Sequence, residues 1–430
     1  MTEAGITKER APAGPTGWWS PRVTELDVAV TEQLKRRLGT GDAVVIGLGS
    51  MIGAGVFAAF TPAAHAAGAG LLIGLALAAI VAYCNATSSA RLAAIYPSSG
   101  GTYVYGRERL GEFWGYLAGW GFVVGKTASC AAMALTVALY AAPGLARPWQ
   151  SAIAAAAVLA LTALNYRGVQ RSALATRVIV TVTLLVLAGS VIAIAVAGNA
   201  STARLSPFPG AGVTGILQSA GLLFFAFAGY ARIATLGEEV RDPARTIPRA
   251  IPIALGLTLV VYAAVAIALL LRLGPALAST SDPVAAAVPT GLAPVVRIGA
   301  ALAALGSLLA LVLGVSRTSF AMARDGHLPT ALAAVHPRFG VPHRAEIAVG
   351  VVVAVLVSFA DLRGAIGFSS FAVLAYYAIA NASAFTLGRR VVPVAGLLGC
   401  VVLAFSLPLS SVISGLVVLA IGALAYVVKR

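Results

Sequence analysis

The stretch Ser-Met-Ile-Gly-Ala-Gly-Val-Phe at residues 50–57 places two glycines, Gly53 and Gly55, inside an uncharged, mostly apolar run over residues 43–64. A helix that crosses a bilayer needs roughly 20 apolar residues, so the run is typical of a membrane span. Glycine weakens a helix interior by about 1 kcal/mol relative to alanine, and an unpaired backbone group is costly at membrane depth. The stretch therefore predicts a span interrupted near its middle, with close helix packing as the alternative reading.

The composition of the whole chain is that of a polytopic membrane protein. Hydrophobic residues make up 59% of the 430 residues and charged residues 10%, and the mean hydropathy is +0.92. Soluble domains are far less apolar. The chain therefore belongs in a lipid bilayer, with no room for large soluble domains.

Short polar breaks divide the chain into twelve predicted membrane helices of an all-α fold. We expect a cytoplasmic tail at residues 1–39, five helices at 40–200, five more at 201–390 and two at 391–430. The helices are predicted at residues 43–64, 70–95, 113–142, 151–165, 178–197, 212–236, 250–271, 295–322, 345–359, 365–387, 392–407 and 409–428.

Positive charge is concentrated in every second loop, which predicts that both termini are cytoplasmic in a cell-membrane protein. The net charge of +15 follows from this pattern, so nucleic acid is not an expected partner. The basic loops carry Lys35, Arg36 and Arg37; Arg107 and Arg109; Arg167 and Arg171; Arg241, Arg245 and Arg249; Arg324, Arg338 and Arg344; Arg389 and Arg390; and Lys429 and Arg430.

The distribution of reactive side chains argues against catalysis and metal binding. The three cysteines and four histidines are dispersed along the chain at unrelated spacing, and no nucleophile with a base is apparent. We expect no enzyme activity, no metal and no cofactor.

A second irregular stretch, Phe-Phe-Ala-Phe-Ala-Gly-Tyr at residues 224–230, falls midway along the sixth predicted helix. Interrupted helices at matching positions of two halves indicate a transport site at the bilayer midplane. Amides freed at such a break suit a carboxylate, and freed carbonyls suit an ammonium group. The pair of breaks predicts a site for the constant part of an amino acid.

Three stretches resemble the amino acid, polyamine and organocation permeases, nearest to the cationic amino acid transporters. They are Met-Ile-Gly-Ala-Gly-Val-Phe at 51–57, the run with Gly-Glu-Glu-Val-Arg-Asp-Pro at 224–251, and the run with Ala-Met-Ala-Arg-Asp-Gly at 313–329. The resemblance covers nearly the whole chain. It implies two inverted five-helix repeats, broken first and sixth helices, two extra helices and alternating access.

The resemblance also implies the substrate contacts. The carboxylate contact falls on the backbone of Ala54 and Gly55, and the amino-group contacts fall on backbone carbonyls near both breaks. Phe225 and Phe227 are candidates for an aromatic ring that closes over the substrate, with ordinary core packing as the alternative. The expected substrate-binding set is Met51, Ile52, Gly53, Ala54, Gly55, Phe225, Phe227, Ala228 and Gly229, with carbonyl contacts from Met51, Phe225 and Ala228.

Charged residues depart from the family pattern. Proton-coupled relatives carry a lysine in the fifth helix, where this chain has Thr183, and cationic transporters carry acids where this chain has Lys126 and Arg232. A lysine at bilayer depth is functional by default, so Lys126 is a candidate proton-coupling group, with a snorkelling or carbonyl-bonded lysine as the alternative.

Arg232, Glu238 and Glu239 are expected to couple or gate transport. The structural alternatives are an ion pair between Arg232 and Glu239 and, for the two glutamates, a solvated helix end. Hydroxyls of Ser307, Ser316 and Thr318 could bind sodium, but we favour protons because hydroxyls usually bond to their own helix.

The sequence thus predicts a secondary transporter that moves an amino acid, neutral or acidic rather than cationic, with proton coupling. A cationic amino acid or polyamine transporter or exchanger is the alternative. A membrane amino acid sensor that no longer transports would share the same pocket.

Overall fold

The computed structural model describes residues 38–96, 100–168, 173–198, 200–234, 236 and 239–429. Within these residues the chain is helical apart from turns and connections, and extended backbone pairs only at an isolated bridge between Leu38 and Val240. The all-helical class predicted from the sequence is confirmed.

The first predicted helix is divided where the glycines predicted a break. Helix α1 (Thr40–Met51) ends at Ile52, and α2 (Ala54–Ala58) begins after Gly53 and leads into α3 (Phe60–Ala67). Ile52 (φ −82°, ψ 68°) and Gly53 (φ −127°, ψ −133°) leave the helical conformation. The interruption spans these two residues.

The sixth predicted helix is interrupted more gently. Helix α9 (Val213–Phe227) passes into one 3₁₀ turn, Ala228–Tyr230, and then into the short helix α10 (Ala231–Ala234). The irregularity therefore begins at Ala228 rather than at Phe224, and the helix ends at Ala234 rather than at residue 236.

Apart from two additional short helices, the remaining helices follow the predicted order with shifted ends. Their bounds, numbered along the chain together with those above, are α4 (Leu71–Ile95), α5 (Thr102–Leu110), α6 (Glu112–Ala141), α7 (Arg147–Tyr166), α8 (Ala173–Val196), α11 (Pro243–Leu273), α12 (Pro283–Ala287), α13 (Ala293–Arg324), α14 (His343–Phe359), α15 (Leu362–Phe385), α16 (Val391–Ser406) and α17 (Leu409–Lys429).

Ten stretches of the described chain are long and apolar enough to cross a membrane. The two other predicted spans are the shorter helices α14, of 17 residues, and α16, of 16 residues. Large apolar side chains on the outer helices are exposed, including Val196, Phe359 and Val428 at 78–80%. An apolar outer surface of this kind is suited to lipid rather than water.

Two helices, α5 and α12, are absent from the sequence prediction. Helix α5 contains Arg107, Glu108 and Arg109 and lies in a predicted basic loop, while α12 has only five residues. Neither carries an apolar run of spanning length, so hydropathy gave no signal for either helix.

The loops sort into two faces of the bundle, as alternate crossing requires. On one face Arg107 pairs with Asp325 at 3.2 Å, and Leu38 exchanges backbone hydrogen bonds with the chain after α10. On the other face Thr61 donates to the Thr280 carbonyl at 2.7 Å, and Arg147 donates to the Phe359 carbonyl at 3.0 Å. We call the first the basic face and the second the opposite face.

Helix α6 lies at the centre of the bundle, packed most extensively against α15 and α13. Helices α1, α4 and α9 with α11 form the adjoining part of the core, which brings the interruptions of the first and sixth helices together. The site described next lies between these elements.

Candidate functional site

The two interruptions touch each other through glycines. A Cβ atom built on Gly229 would lie 2.1 Å from the Ser50 carbonyl oxygen, and one built on Gly55 would lie 2.7 Å from Ala226 Cα. Real Cβ atoms do not approach backbone this closely, so both positions require glycine in this packing. The packing explanation for the glycines and the broken-helix explanation are therefore both correct.

A tyrosine that sequence reasoning did not single out joins the two interruptions. The Tyr262 hydroxyl on α11 lies 2.6 Å from the Met51 carbonyl oxygen and 3.1 Å from that of Ala226. Tyr262 is fully buried, with its ring edge-on to Phe60 and Phe227. Buried tyrosine hydroxyls seek a partner, so a tyrosine within the apolar run of α11 was the available signal.

Lys126 lies halfway along α6 and reaches the sixth-helix interruption. Its ammonium nitrogen is 3.3 Å from the Ala228 carbonyl oxygen, and its side chain is only 7% exposed. Among the described residues, no acidic oxygen lies within ion-pair distance of Lys126. Lys126 thus already donates a hydrogen bond to the Ala228 carbonyl, one of the carbonyls expected to bind the substrate's amino group.

The expected substrate-binding residues are enclosed. Met51, Ile52, Ala54 and Ala228 are at most 3% exposed, and Phe225 is 7% exposed. The Met51 carbonyl accepts both the Tyr262 hydroxyl and the Gly53 amide, the latter at 2.9 Å. Phe227 packs against Tyr262, as a core side chain does, and Phe225 keeps a small exposed fraction.

The opposite face is closed directly above α2. The Tyr140 hydroxyl donates to the Phe57 carbonyl at 3.0 Å, with the two rings edge-on at 5.6 Å. Helix α12 is largely buried beside them, and the buried Asp282 at its start pairs with Arg297 at 2.9 Å. Access to the site from the opposite face therefore requires these groups to move.

The hydroxyls considered as sodium ligands divide into two kinds. Ser316 donates to the Val312 carbonyl at 2.7 Å and Thr318 to the Gly314 carbonyl at 3.1 Å, both within α13. Ser307 Oγ is buried without a hydrogen-bond partner and faces the first interruption, because a Cβ on Gly53 would lie 1.8 Å from it. Thr183 donates to the Ile179 carbonyl of its own helix at 2.7 Å.

Arg232 and Glu239 form an ion pair at 3.6 Å near the basic face, with side chains 44% and 32% exposed. This is the ion pair that the sequence offered as an alternative to gating, and it forms although α10 already ends at Ala234. A turn, in which the Glu239 amide donates to the Leu236 carbonyl at 2.9 Å, brings the carboxylate back. Glu238 lies outside the described residues.

The Arg-Asp-Gly run after α13 anchors the basic face. The Tyr103 hydroxyl contacts Asp325 Oδ2 at 2.6 Å and His327 Nδ1 at 2.9 Å. Burial lowers the pKa of His327, and burial together with Asp325 raises the pKa of Tyr103. The run therefore ties α5 to the end of α13 at a distance from the interruptions.

Across the described residues, no group of three His, Cys, Asp or Glu side chains is arranged to hold a metal ion. A bundle of membrane-length helices in which two interrupted helices meet at a buried site is typical of secondary transporters.

Comparison with known proteins identifies the family. The family model described as amino acid permease matches residues 38–428, and the chain belongs to this family. It is 67% identical to an uncharacterized transporter of Mycobacterium tuberculosis over 412 residues, 93% of each chain.

Two more distant relatives are named for their substrates. A methylthioribose transporter of Bacillus subtilis is 30% identical, covering 92% of this chain and 94% of that protein. A branched-chain amino acid permease of the same organism is 28% identical, covering 92% and 93%.

Proposed function

We propose that this protein is a secondary active transporter that carries an amino acid across the cell membrane by alternating access. The contact between the two interruptions, through Gly55, Gly229 and the Tyr262 hydroxyl, is the observation that carries the proposal. A site built from two half-helix ends can pass from one face to the other when the halves move. The proposed repeats are residues 40–200 and 201–390, in inverted orientation.

The proposed substrate contacts follow from the backbone at each interruption. Amides at Ala54 and Gly55, at the start of α2, are suited to the substrate carboxylate because helix N-termini carry partial positive charge. The substrate's amino group would compete with Lys126 for the Ala228 carbonyl. The hydrogen bond between Lys126 and the Ala228 carbonyl would therefore form or break according to whether the substrate is bound.

The competition between Lys126 and the substrate for the Ala228 carbonyl would couple transport to protons. A neutral Lys126 amine no longer makes a charge-assisted hydrogen bond to the Ala228 carbonyl. Protonation of Lys126 and binding of the substrate therefore alter each other's equilibrium. Only a difference in interaction between states can shift that equilibrium. Lys126 supplies such a difference because its carbonyl partner belongs to the interrupted helix.

The charge of the site favours a neutral or acidic side chain over a cationic one. Lys126 is buried at the sixth-helix interruption, whereas Arg232 is partly exposed and paired with Glu239. The preference therefore rests on Lys126, since like charges repel strongly where the dielectric constant is low. A cationic amino acid or polyamine transporter or exchanger is therefore the less favoured alternative. We place the basic face, with both termini, on the cytoplasmic side by the excess of arginine and lysine in its loops.

A second candidate is a neutral solute without an amino group. The carbonyls of Met51 and Ala228 already accept hydrogen bonds from Tyr262 and Lys126, which leaves less room for a substrate ammonium. The related methylthioribose transporter makes a thiosugar the natural compound to test beside amino acids.

Reconstituted protein tests these alternatives. A thermal-shift screen of the twenty amino acids, putrescine and methylthioribose in detergent identifies binders, because a bound ligand stabilises by RT ln(1 + [L]/Kd). Uptake of labelled alanine and glutamate into liposomes, competed by excess arginine, then tests transport and charge preference. We expect weak competition by arginine.

Three outcomes contradict the proposal in different ways. Strong inhibition by arginine alone would favour a cationic transporter, and a response to methylthioribose alone would favour the second candidate. Binding of an amino acid without uptake or exchange would instead identify a sensor.

A further inference from the structure

Buried polar side chains are concentrated beside the sixth-helix interruption, toward the basic face. The group, which we call the tyrosine–asparagine cluster, lies on α4, α5, α15 and the 3₁₀ turn, and each member is at most 6% exposed. Its members are Asn85, Tyr105, Tyr230, Tyr376, Tyr377 and Asn381.

Contacts between the members are continuous. Asn381 Nδ2 donates to Asn85 Oδ1 at 2.7 Å and to the Tyr377 carbonyl at 2.9 Å. The Tyr377 ring stacks on Tyr230 at 5.1 Å and meets Tyr376 edge-on at 5.0 Å. The cluster therefore runs without a break from the interruption to α15.

The inner end of the cluster reaches Lys126. Tyr230 shares a single 3₁₀ turn with Ala228, whose carbonyl accepts the Lys126 ammonium group. One helical turn before Lys126, Phe122 packs against Tyr376 at 5.3 Å. The turn that binds Lys126 and the helix that carries it therefore both adjoin the cluster.

The outer end reaches the basic face through α5. The Tyr376 hydroxyl accepts the Thr102 amide at 3.0 Å at the start of α5, and it acts electrostatically on the hydroxyl of Tyr105. The Tyr105 ring lies 6.3 Å from the ring of Tyr96, which is partly exposed. Neighbouring buried tyrosines therefore extend from the turn that binds Lys126 toward the basic face.

Several polar atoms of the cluster have no hydrogen-bond partner. They are the hydroxyls of Tyr105, Tyr230 and Tyr377, Asn85 Nδ2 and Asn381 Oδ1. The Tyr230 and Tyr377 hydroxyls lie close enough to act on each other electrostatically. A buried polar atom left unsatisfied costs about 1–3 kcal/mol, and such atoms are normally satisfied by internal water.

Apart from Lys126, the charged groups near the cluster lie toward its rim, among them Arg232, which lies two residues after Tyr230 and pairs with Glu239. In the described parts of α4, α5, α6, α9, α15 and α16, the acids are Glu108 and Glu112, both near the basic face. Arg91 and Arg109 are bound to the chain around residues 386–389. The Cys400 thiol contacts Asn85 Oδ1 at 3.3 Å. Lys126 is therefore the basic group at the inner end, and no carboxylate intercepts a proton on the way.

We propose that the tyrosine–asparagine cluster is hydrated and carries protons between the basic face and Lys126. Each hydroxyl or water oxygen accepts a proton on a lone pair and releases its own hydrogen to the next oxygen, so no atom of the path stays charged. The last oxygen gives its proton to the neutral Lys126 amine, which becomes the ammonium ion. The inference rests on the proposed proton-coupled transport.

Removal of single hydroxyls tests the path. Tyr377→Phe and Tyr230→Phe keep ring and volume but interrupt the relay, and Tyr116→Phe on α6 is the matched control because Tyr116 packs against His327 and Tyr426 instead. Each variant is reconstituted with the pH dye pyranine inside the liposomes. Uptake of labelled alanine and glutamate is measured under an imposed pH gradient, and counterflow exchange is measured without one.

We expect both cluster variants to keep exchange within about twofold of wild type and to lose at least tenfold in gradient-driven uptake and pyranine-reported proton entry. Tyr116→Phe should retain both activities. Should Tyr377→Phe lose exchange as well, Tyr105→Phe gives the same comparison farther from the site.

The contrary outcomes are distinct. Wild-type rates of proton entry in all three cluster variants overturn the path alone. A wild-type protein that exchanges amino acids without moving protons overturns the proposed coupling and the path together.

Discussion

The Tyr262 hydroxyl is the contact whose removal tests the site most directly. Tyr262→Phe deletes one oxygen that bridges the carbonyls of Met51 and Ala226, at 2.6 and 3.1 Å, and leaves the ring against Phe60 and Phe227. Volume and apolar packing are conserved. The change therefore reports on the bridge between the two interruptions.

The magnitude follows from which carbonyl keeps a partner. The Met51 carbonyl still accepts the Gly53 amide at 2.9 Å, so its loss is limited to one hydrogen bond of about 0.5–1.5 kcal/mol. The Ala226 carbonyl also loses its contact with the hydroxyl. Together the two losses reduce the stability of the site by about 1–3 kcal/mol. If the bridge holds the binding geometry, the dissociation constant rises roughly 5- to 150-fold, since 1.4 kcal/mol is tenfold.

The assay combines equilibrium binding with thermal unfolding in detergent. We expect weaker binding of the amino acid selected by the thermal-shift screen and a lower unfolding midpoint without ligand. Tyr116→Phe, away from the interruptions, should change neither property. Binding within twofold of wild type and an unchanged midpoint in Tyr262→Phe would refute the bridging role.

Three further predictions address the glycines, the coupling lysine and the basic face. Gly55→Val should abolish amino acid binding with near-normal expression because its side chain meets Ala226, whereas Gly189→Val, where a Cβ meets nothing within 4 Å, should bind normally; wild-type uptake by Gly55→Val would disprove the close contact. Lys126→Met should keep binding and counterflow but lose accumulation driven by a pH gradient, and retained accumulation in liposomes would make Lys126 structural. Burial lowers the pKa of His327 in the folded protein, so between the two pKa values the unfolded chain binds more protons at this residue. The stability that comes from a neutral, buried His327 is therefore present above the unfolded pKa of about 6.5. It is lost as the pH falls toward the folded pKa. The unfolding midpoint of wild type should then drop more steeply between pH 7.5 and 5.5 than that of His327→Gln, and parallel profiles would exclude this role.

The sequence determined the membrane class, the helix order and the interruption of the first helix. These properties are local: an apolar run long enough to span a bilayer is readable without its neighbours, and Gly53 marks a weak helical position in its own segment. Sequence also identified Lys126 as unusual, because an ionisable residue at membrane depth is conspicuous in any context.

The tertiary structure alone decided which groups meet. Tyr262 reaches Met51 across 211 residues of chain, and Lys126 reaches Ala228 across 102. Glu239 meets Arg232 through a turn after α10, a geometry that helical periodicity did not give. Hydropathy and spacing record which residues avoid water, but the partner of a buried polar group depends on how helices distant in sequence pack together, and that packing is fixed only in the folded bundle.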